Sequence, residues 1–465
     1  MRAALVVLVL ALAAPVPAQV TLRVLAGVAP SDSFGDAMPE QPADDLSDDV
    51  RAAIQSRLAR AAAALRARGR LVQPVAAPPR FAWPLLMPEP SGFGYYGISA
   101  YVDHDPLAPG AVRDFHCGRR TYDLPSGYNH TGTDIFLWPW AWNRVESNAV
   151  QVVAAADGTI IEKDDGNPDH NCKFGNNAWN AVYVRHADGS TAWYGHLKRH
   201  SLTDKAVGDS VSVGEYLGIV GSSGNSTGPH LHFEVHDRDG RLIDPYAGTC
   251  NRTTATSWWE VQPSYLDPSI SALTSGIAKP LLAACPKADK PNQQDVIVKG
   301  RRVVLTAYYR DLPAGEVAQH TIYTPAGVAY ARWSVSSPQA FAAAYRGQIF
   351  ERFAADGPLG AWRYQVEFAG RTYTHEFAIV ASPRDVPTRT PAGQPRRTAT
   401  PTPSPIPTCP GDCGGDGRVG IDELVRAVGI ALDSTSLDQC AAADRNRDGR
   451  VAVDEIVAGV ACAQR

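Results

Sequence analysis

Beyond its first residues the 465-residue chain has no apolar stretch approaching the length of a membrane helix, so no membrane span is expected in the mature protein. Basic residues never gather into a block. The 44 Lys and Arg stand against 48 Asp and Glu, a net charge of -4 spread along the chain, which excludes nucleic acid and anionic membranes as expected partners. No CxxC pair occurs, which weighs against a zinc-finger use of the cysteines.

What is present begins with "MRAALVVLVLALAAPVPAQV": an early Arg, a short apolar stretch and Ala18 closing a small-residue cleavage site, the pattern of a secretory signal over residues 1–18. The expected location is secreted, periplasmic or cell-surface. Eight cysteines then fit disulfides in an oxidising compartment. Cys117, Cys172, Cys250 and Cys285 lie in the body and Cys409, Cys413, Cys440 and Cys462 in the tail; each set can close on itself, and the pairing is not readable from spacing.

Residues 19–80 form an N-terminal segment whose stretch "SDDVRAAIQSRLARAAAALRARG" predicts a helix, with Ser47 as N-cap, acids in the first turn and a stop at Gly69. A solvated surface helix is the expected form; the alternative is a pro-region lying over the rest of the molecule. From 81 to 265 the chain is aromatic and Gly-rich, with short β-type runs between Asp-Gly and Asn turns, and predicts a mostly antiparallel β domain. Residues 286–381 predict a β-sandwich-like accessory domain, in which Trp362, Tyr364, Val366 and Phe368 share one face before a turn at Gly370. A Pro/Thr-rich spacer over 382–408 has no means of forming a core. The fold class is thus mainly β, followed by a small helical tail over 409–465.

The chemistry sits in three strings. "GNSTGPHLHFEVH" puts His230, His232 and His236, with Glu234, on one face of a predicted strand, because alternate strand residues point the same way. "NHTGTDIF" offers His130 and Asp134 at even spacing among β-branched residues, and "WYGHL" offers His196 at a strand end. One carboxylate and several imidazoles from three strands suit catalytic zinc, which takes three protein ligands and keeps a position for water. Glu234 is a candidate for orienting an imidazole or an edge-of-core polar residue, and His236 a continuation of the strand. Trp138, Trp140, Trp142, Trp258 and Trp259 are expected in core and loop packing rather than along a groove. "HEFAI" at 375 lacks the second His of an HExxH site. A polar patch on a cell-wall-binding or scaffold module is the competing reading, and it leaves the HxxxD and YGHL strings unexplained.

With "HTGTD", "YGHL" and "SSGNSTGPHLHFE" in this order, residues 81–265 resemble the lysostaphin-type zinc endopeptidases, including lysostaphin and the β-lytic metallopeptidases. The resemblance implies that His130, Asp134 and His232 bind Zn2+, that His196 and His230 stand beside it as catalytic residues, one as general base and one stabilising the oxyanion, and that the substrate is a peptide bond in peptidoglycan cross-links or next to glycine. Bound zinc of this type brings a water's pKa to about 7.

The tail contains a repeat: "GDGRVGIDELV" at 415–425 returns as "RDGRVAVDEIV" at 447–457. Asp412 to Glu423 and Asp444 to Glu455 fit the twelve-residue calcium loop, with Asp412, Asp416 and Glu423 in the first and Asp444, Asn446, Asp448 and Glu455 in the second. Gly414 leaves the first loop one oxygen short, so the second is expected to hold Ca2+ more tightly. The pair resembles dockerin-like EF-hand modules, which implies a cohesin-like or cell-surface partner; a tail stabilised by calcium is the alternative. Glu at position 12 and the added cysteines depart from the dockerin pattern.

Overall fold

The computed structural model describes residues 20–21, 31–37, 43–44, 46–71, 77–107, 110–175, 177–382, 411–413, 419–432, 435–444, 451 and 456. The expected signal (1–18), nearly all of the spacer, and the calcium-loop residues Asp416, Asn446, Asp448 and Glu455 lie outside them, as do Cys409 and Cys462. Two compact units divide the chain, Met1–Pro387 and Thr388–Arg465.

The first unit is built on antiparallel sheets. Its central sheet runs in the order Ser210–Val211, Gly158–Asp164, Ala181–Arg185, Thr191–Gly195, His230–His236, Thr133–Leu137, Tyr96–Ala100, with Leu242–Ile243 added to the His230–His236 strand. That strand lies between two of the others that carry the motifs, so His232 stands opposite Asp134 on one side and Gly195 on the other. A smaller sheet of Leu85–Leu86, Gln151–Val153 and Tyr216–Ile219 closes over a core that includes Phe81, Ile135, Val152, Leu231 and Phe233.

The accessory β-sandwich is larger than the expected 286–381. A six-stranded sheet faces a four-stranded one, and Ser269–Gly276 joins the latter. N-terminal strands complete both: Val20–Thr21 pairs with Ala329–Ser336, and Asp32–Ala37 pairs with Phe341–Phe350. The alternation over 362–368 holds, with Trp362, Tyr364, Val366 and Phe368 all buried and Gly370 turning the chain at φ +73.

Helix α1, Asp48–Ala67, forms where the sequence places it: Ser47 Oγ accepts from Val50 N at 3.4 Å, and Gly69 in the left-handed region ends the last turn. It is not a solvated surface helix. Arg51, Ile54, Leu58, Ala62 and Leu65 recur at helical spacing and are buried, the three large aliphatics in one cluster with Ile161, Trp179, Tyr183 and Trp193. Each large aliphatic contributes roughly 2 kcal/mol of burial. Trp138 and Trp140 pack with Tyr308, and Trp258 and Trp259 sit in the core, as the packing reading expects.

Disulfides Cys117–Cys250 and Cys172–Cys285 pair the four body cysteines among themselves. In the second unit, helix Ile421–Ala431 and the Cys413–Cys440 bridge surround a small cluster containing Ala427, Ile430 and Val451. Among the described residues no helix is long and apolar enough to cross a membrane.

Candidate metal centre

Strand alternation delivers His230, His232, Glu234 and His236 to one face, every one buried. His130 arrives differently from the expectation. It precedes the strand Thr133–Leu137 and is brought to Asp134 by a bend through Gly132. That glycine has a steric reason: a Cβ there would lie 2.5 Å from His232 Cε1. His196 follows the Thr191–Gly195 strand at φ +61, an unusual conformation for a non-glycine residue and one that recurs at functional sites.

The hydrogen bonds set each ring's tautomer. His130 Nδ1 donates to Tyr101 O at 2.7 Å, which leaves Nε2 with a lone pair; that atom is buried without a hydrogen bond and lies 3.1 Å from Asp134 Oδ2. His232 Nε2 donates to Glu234 Oε2 at 3.0 Å, leaving the Nδ1 lone pair 2.9 Å from Asp134 Oδ1. Two imidazole lone pairs and a carboxylate, all acceptors, therefore converge in a buried space. Acceptors repel unless a cation or extra protons stand between them. Burial opposes charge on His130 and His232, yet Asp134 and Asp44 draw both above the ordinary imidazole range. A divalent ion satisfies the same demand with the donor set that zinc takes.

His196 and His230 form the second half of the site, their rings 4.4 Å apart. Carbonyls of the Gly-rich loop hold both: Ser223 O accepts from His196 Nδ1 at 2.6 Å, and Gly228 O from His230 Nδ1 at 2.8 Å. Each Nε2 then faces inward. Burial and the neighbouring His196 push His230 down to about 4.

Glu234 is part of the site's support. Besides His232 it accepts from Thr131 Oγ1 at 2.8 Å, His236 Nε2 at 2.6 Å and Arg51 Nε of helix α1 at 3.2 Å. A carboxylate bound to a ligand imidazole fixes that ring and raises its basicity.

Sequence reasoning missed four contributors. Asp44, fully buried, places Oδ2 2.8 Å from His232 Nδ1 and 3.3 Å from His196 Nε2. Tyr122 and Tyr128 donate to its Oδ1, each at 2.7 Å. Burial opposes ionisation of Asp44, but His232 and the other imidazoles hold its carboxyl well below the usual range. Trp179 sets its ring 5.3 Å from His196 and 5.9 Å from His232. Aromatic residues lie upstream of "HTGTD", but nothing in the spacing marks Asp44. Two groups of ligand atoms result: Asp44, His130, Asp134 and His232, and Asp44, His196 and His230.

Residues 129–245 match the model of peptidase family M23. The chain carries an M23 peptidase domain. Over 116 residues it is 44% identical to the DD-carboxypeptidase/endopeptidase Mpg of Neisseria meningitidis, covering 25% of this chain and 22% of that protein. It is 34% identical over 110 residues to the glycyl-glycine endopeptidase ALE-1 of Staphylococcus capitis, covering 23% and 25%, and 33% identical over 105 residues to the peptidoglycan DD-endopeptidase ShyC of Vibrio cholerae, covering 23% and 19%. The chain thus spans about a fifth to a quarter of the curated relatives it matches. All five motif residues, His130 through His232, fall inside the M23 match; Asp44 and Arg51 lie before it.

Proposed function

We propose that the protein is a zinc-dependent endopeptidase, acting outside the cytoplasm, that hydrolyses peptide bonds in peptidoglycan cross-links or in glycine-containing peptides. The observation that carries this reading is the convergence of His130 Nε2, His232 Nδ1 and the Asp134 carboxylate in one buried space. Names of the relatives supply the substrate class, since they are endopeptidases of peptidoglycan and of glycyl-glycine bonds.

In this reading His130, Asp134 and His232 would hold the zinc, which when bound would supply Lewis acidity and lower the pKa of a water. His230, neutral at pH 7 and with Nε2 open, accepts the water's proton. His196, with Nδ1 held by Ser223 O, turns Nε2 toward the same space and, when that atom carries a proton, donates to the oxygen on which charge develops. Glu234 and Tyr101 O fix the two metal-binding rings, so little reorganisation accompanies turnover.

For the tail we propose paired calcium loops. Glu423 caps the helix Ile421–Ala431, its Oε2 accepting from Gly420 N at 2.8 Å. Docking of a cohesin-like or cell-surface partner rests on the sequence pattern.

Metal analysis of the purified full chain together with digestion of cell walls tests the main proposal. One zinc per chain and release of peptide fragments are expected. No zinc and no cleavage would return the protein to the scaffold reading.

A further inference from the structure

The Gly-rich loop 221–228, whose carbonyls hold His196 and His230, carries only glycine and small polar residues, so hydrogen bonds rather than apolar packing fix it. Many of those bonds come from a second loop, the one joining Gly158–Asp164 to Ala181–Arg185. Asn171 N donates to Ser222 O at 3.1 Å, Ser222 Oγ donates to Asn171 O at 2.7 Å, and Asn171 Nδ2 donates to Gly224 O at 2.8 Å. Asn180 N donates to Ser223 Oγ at 2.8 Å, and Lys173 forms an antiparallel bridge with Ser226. Ser226 Oγ in turn donates to Gly228 O, the carbonyl that also accepts from His230 Nδ1. Asn171 and its neighbours therefore set the backbone from which both histidines are held.

The second loop is itself lightly seated. Among its described residues none from His170 to Ala178 is buried, and segments with few buried contacts open readily. Its covalent fastening comes from far along the chain. Cys172, next to Asn171, is bridged to Cys285. Cys285 belongs to a hairpin that leaves the sandwich after Ser269–Gly276 and returns to it at Val296–Val298, with Leu281 and Lys290 paired across it.

Asp289 seats that hairpin on the peptidase domain. Its Oδ1 accepts from Ala283 N at 3.0 Å, inside the hairpin, and its Oδ2 from Trp142 N at 3.0 Å, in the first turn of the helix Ala141–Glu146. Trp142 stacks on His170 of the second loop, 5.2 Å away. Cys285 and Asp289 both lie beyond residues 129–245, the part that matches the peptidase family. The other body disulfide, Cys117–Cys250, has neither cysteine in the two loops.

We infer that the Cys172–Cys285 disulfide is a positioning element for catalysis, by which the hairpin beyond the peptidase domain holds Asn171 against the Gly-rich loop and so fixes the Nδ1 hydrogen bonds of His196 and His230. The inference rests on the peptidase reading of the same site. His130, Asp134 and His232 sit on or beside the central strands Thr133–Leu137 and His230–His236, away from the bridge. Its effect therefore falls on turnover and not on metal binding, and a reacting group displaced by about 1 Å costs on the order of a hundredfold.

The test compares two double variants of the full chain. The two disulfides join cysteines 113 and 133 residues apart, so removing either is expected to lower the urea midpoint by a similar amount. Cys172→Ala with Cys285→Ala is expected to keep full zinc and a KM for pentaglycine within about twofold, while kcat falls about 10- to 100-fold. Cys117→Ala with Cys250→Ala is expected to keep kcat. Proton NMR reads the cause: the Nδ1 protons of His196 and His230, assigned by their loss in His196→Ala and His230→Ala, are expected as slowly exchanging downfield signals in the wild type, lost from the first double variant and retained in the second. If the first double variant fails to fold, Asn171→Ala, which keeps the bridge and removes the Nδ2 donor, is expected to lower kcat with zinc kept. Folded, zinc-loaded variants with unchanged kcat and unchanged signals, or an equal fall in kcat in both double variants, would overturn the inference and leave the peptidase reading in place. A wild type that binds no zinc and cleaves neither pentaglycine nor cell walls would instead remove the peptidase reading, and the positioning role with it.

Discussion

His232 gives its Nε2 proton to Glu234, 3.0 Å away, and so presents Nδ1 as a lone pair to Asp134 at 2.9 Å. The pairing decides which nitrogen meets the metal. Glu234→Gln keeps an acceptor for the ring but removes the charge, and zinc affinity is expected to fall 10- to 100-fold, the range usual for losing such a partner. Competition against a chromogenic chelator measures it; unchanged affinity would remove Glu234 from the site.

Replacing His130, Asp134 or His232 by Ala is expected to abolish both zinc and activity, because two protein ligands hold the ion poorly. His196→Ala and His230→Ala are expected to keep zinc while turnover falls by about two orders of magnitude or more. Zinc analysis beside a peptide-release assay separates the two classes, and loss of metal in His230→Ala would exchange the roles of His230 and His232.

Gly132→Ala tests the bend. The new methyl meets the His232 ring at 2.5 Å, too close without a shift of one or the other. Weaker zinc binding in a protein with a nearly unchanged urea midpoint is the expected result. Full zinc affinity would show that the bend has slack.

His320 lies in the sandwich, buried between the hydroxyls of Tyr309 and Tyr364, each 2.8 Å from a ring nitrogen, and burial pushes it down to about 3. The folded pKa is below the unfolded one of about 6.5, so the unfolded chain binds the proton first and stability is lost as pH falls below about 6.5. The loss is at most about 1.4 kcal/mol per pH unit down to about 3. Urea titrations of wild type and His320→Gln between pH 7 and 4 are expected to converge as the pH falls; parallel curves would refute a neutral buried imidazole.

Calcium titration of the full chain is expected to show two sites of unequal affinity, with Asp448→Ala removing the tighter one. A calcium chelator is expected to leave cleavage of a small peptide intact. Calorimetry and the peptide assay check these in turn, and loss of cleavage on chelation would couple tail and enzyme.

Four of the motif residues were legible as close pairs, His130 with Asp134 and His230 with His232, and the alternation of His230, His232 and Glu234 is a local property of a strand; His196 stands alone and was read from its place at the end of a strand-like run. His130 was found for a partly mistaken reason, since a bend at Gly132 rather than alternation brings it to Asp134. Asp44 had no such signal. It is one acid among several in "QPADDLSDD", 86 residues before His130, and only the folded chain selects it. The buried stripe of α1 was present at i, i+4 spacing in Ile54, Leu58 and Ala62, but Ala and Arg around it made it look solvated. Asp32–Ala37 escaped notice because its partner, Phe341–Phe350, lies some 300 residues on, and no local pattern reports such a pairing.

The N-terminal chain is shared between two β bodies: Asp32–Ala37 pairs with Phe341–Phe350 of the sandwich, and α1 packs on the strands Gly158–Asp164, Ala181–Arg185 and Thr191–Gly195. Neither body is therefore finished by its own stretch of sequence. A fragment begun at residue 81 would strip an edge strand from one and a covering helix from the other, and expose Ile161, Tyr183 and Trp193 to water.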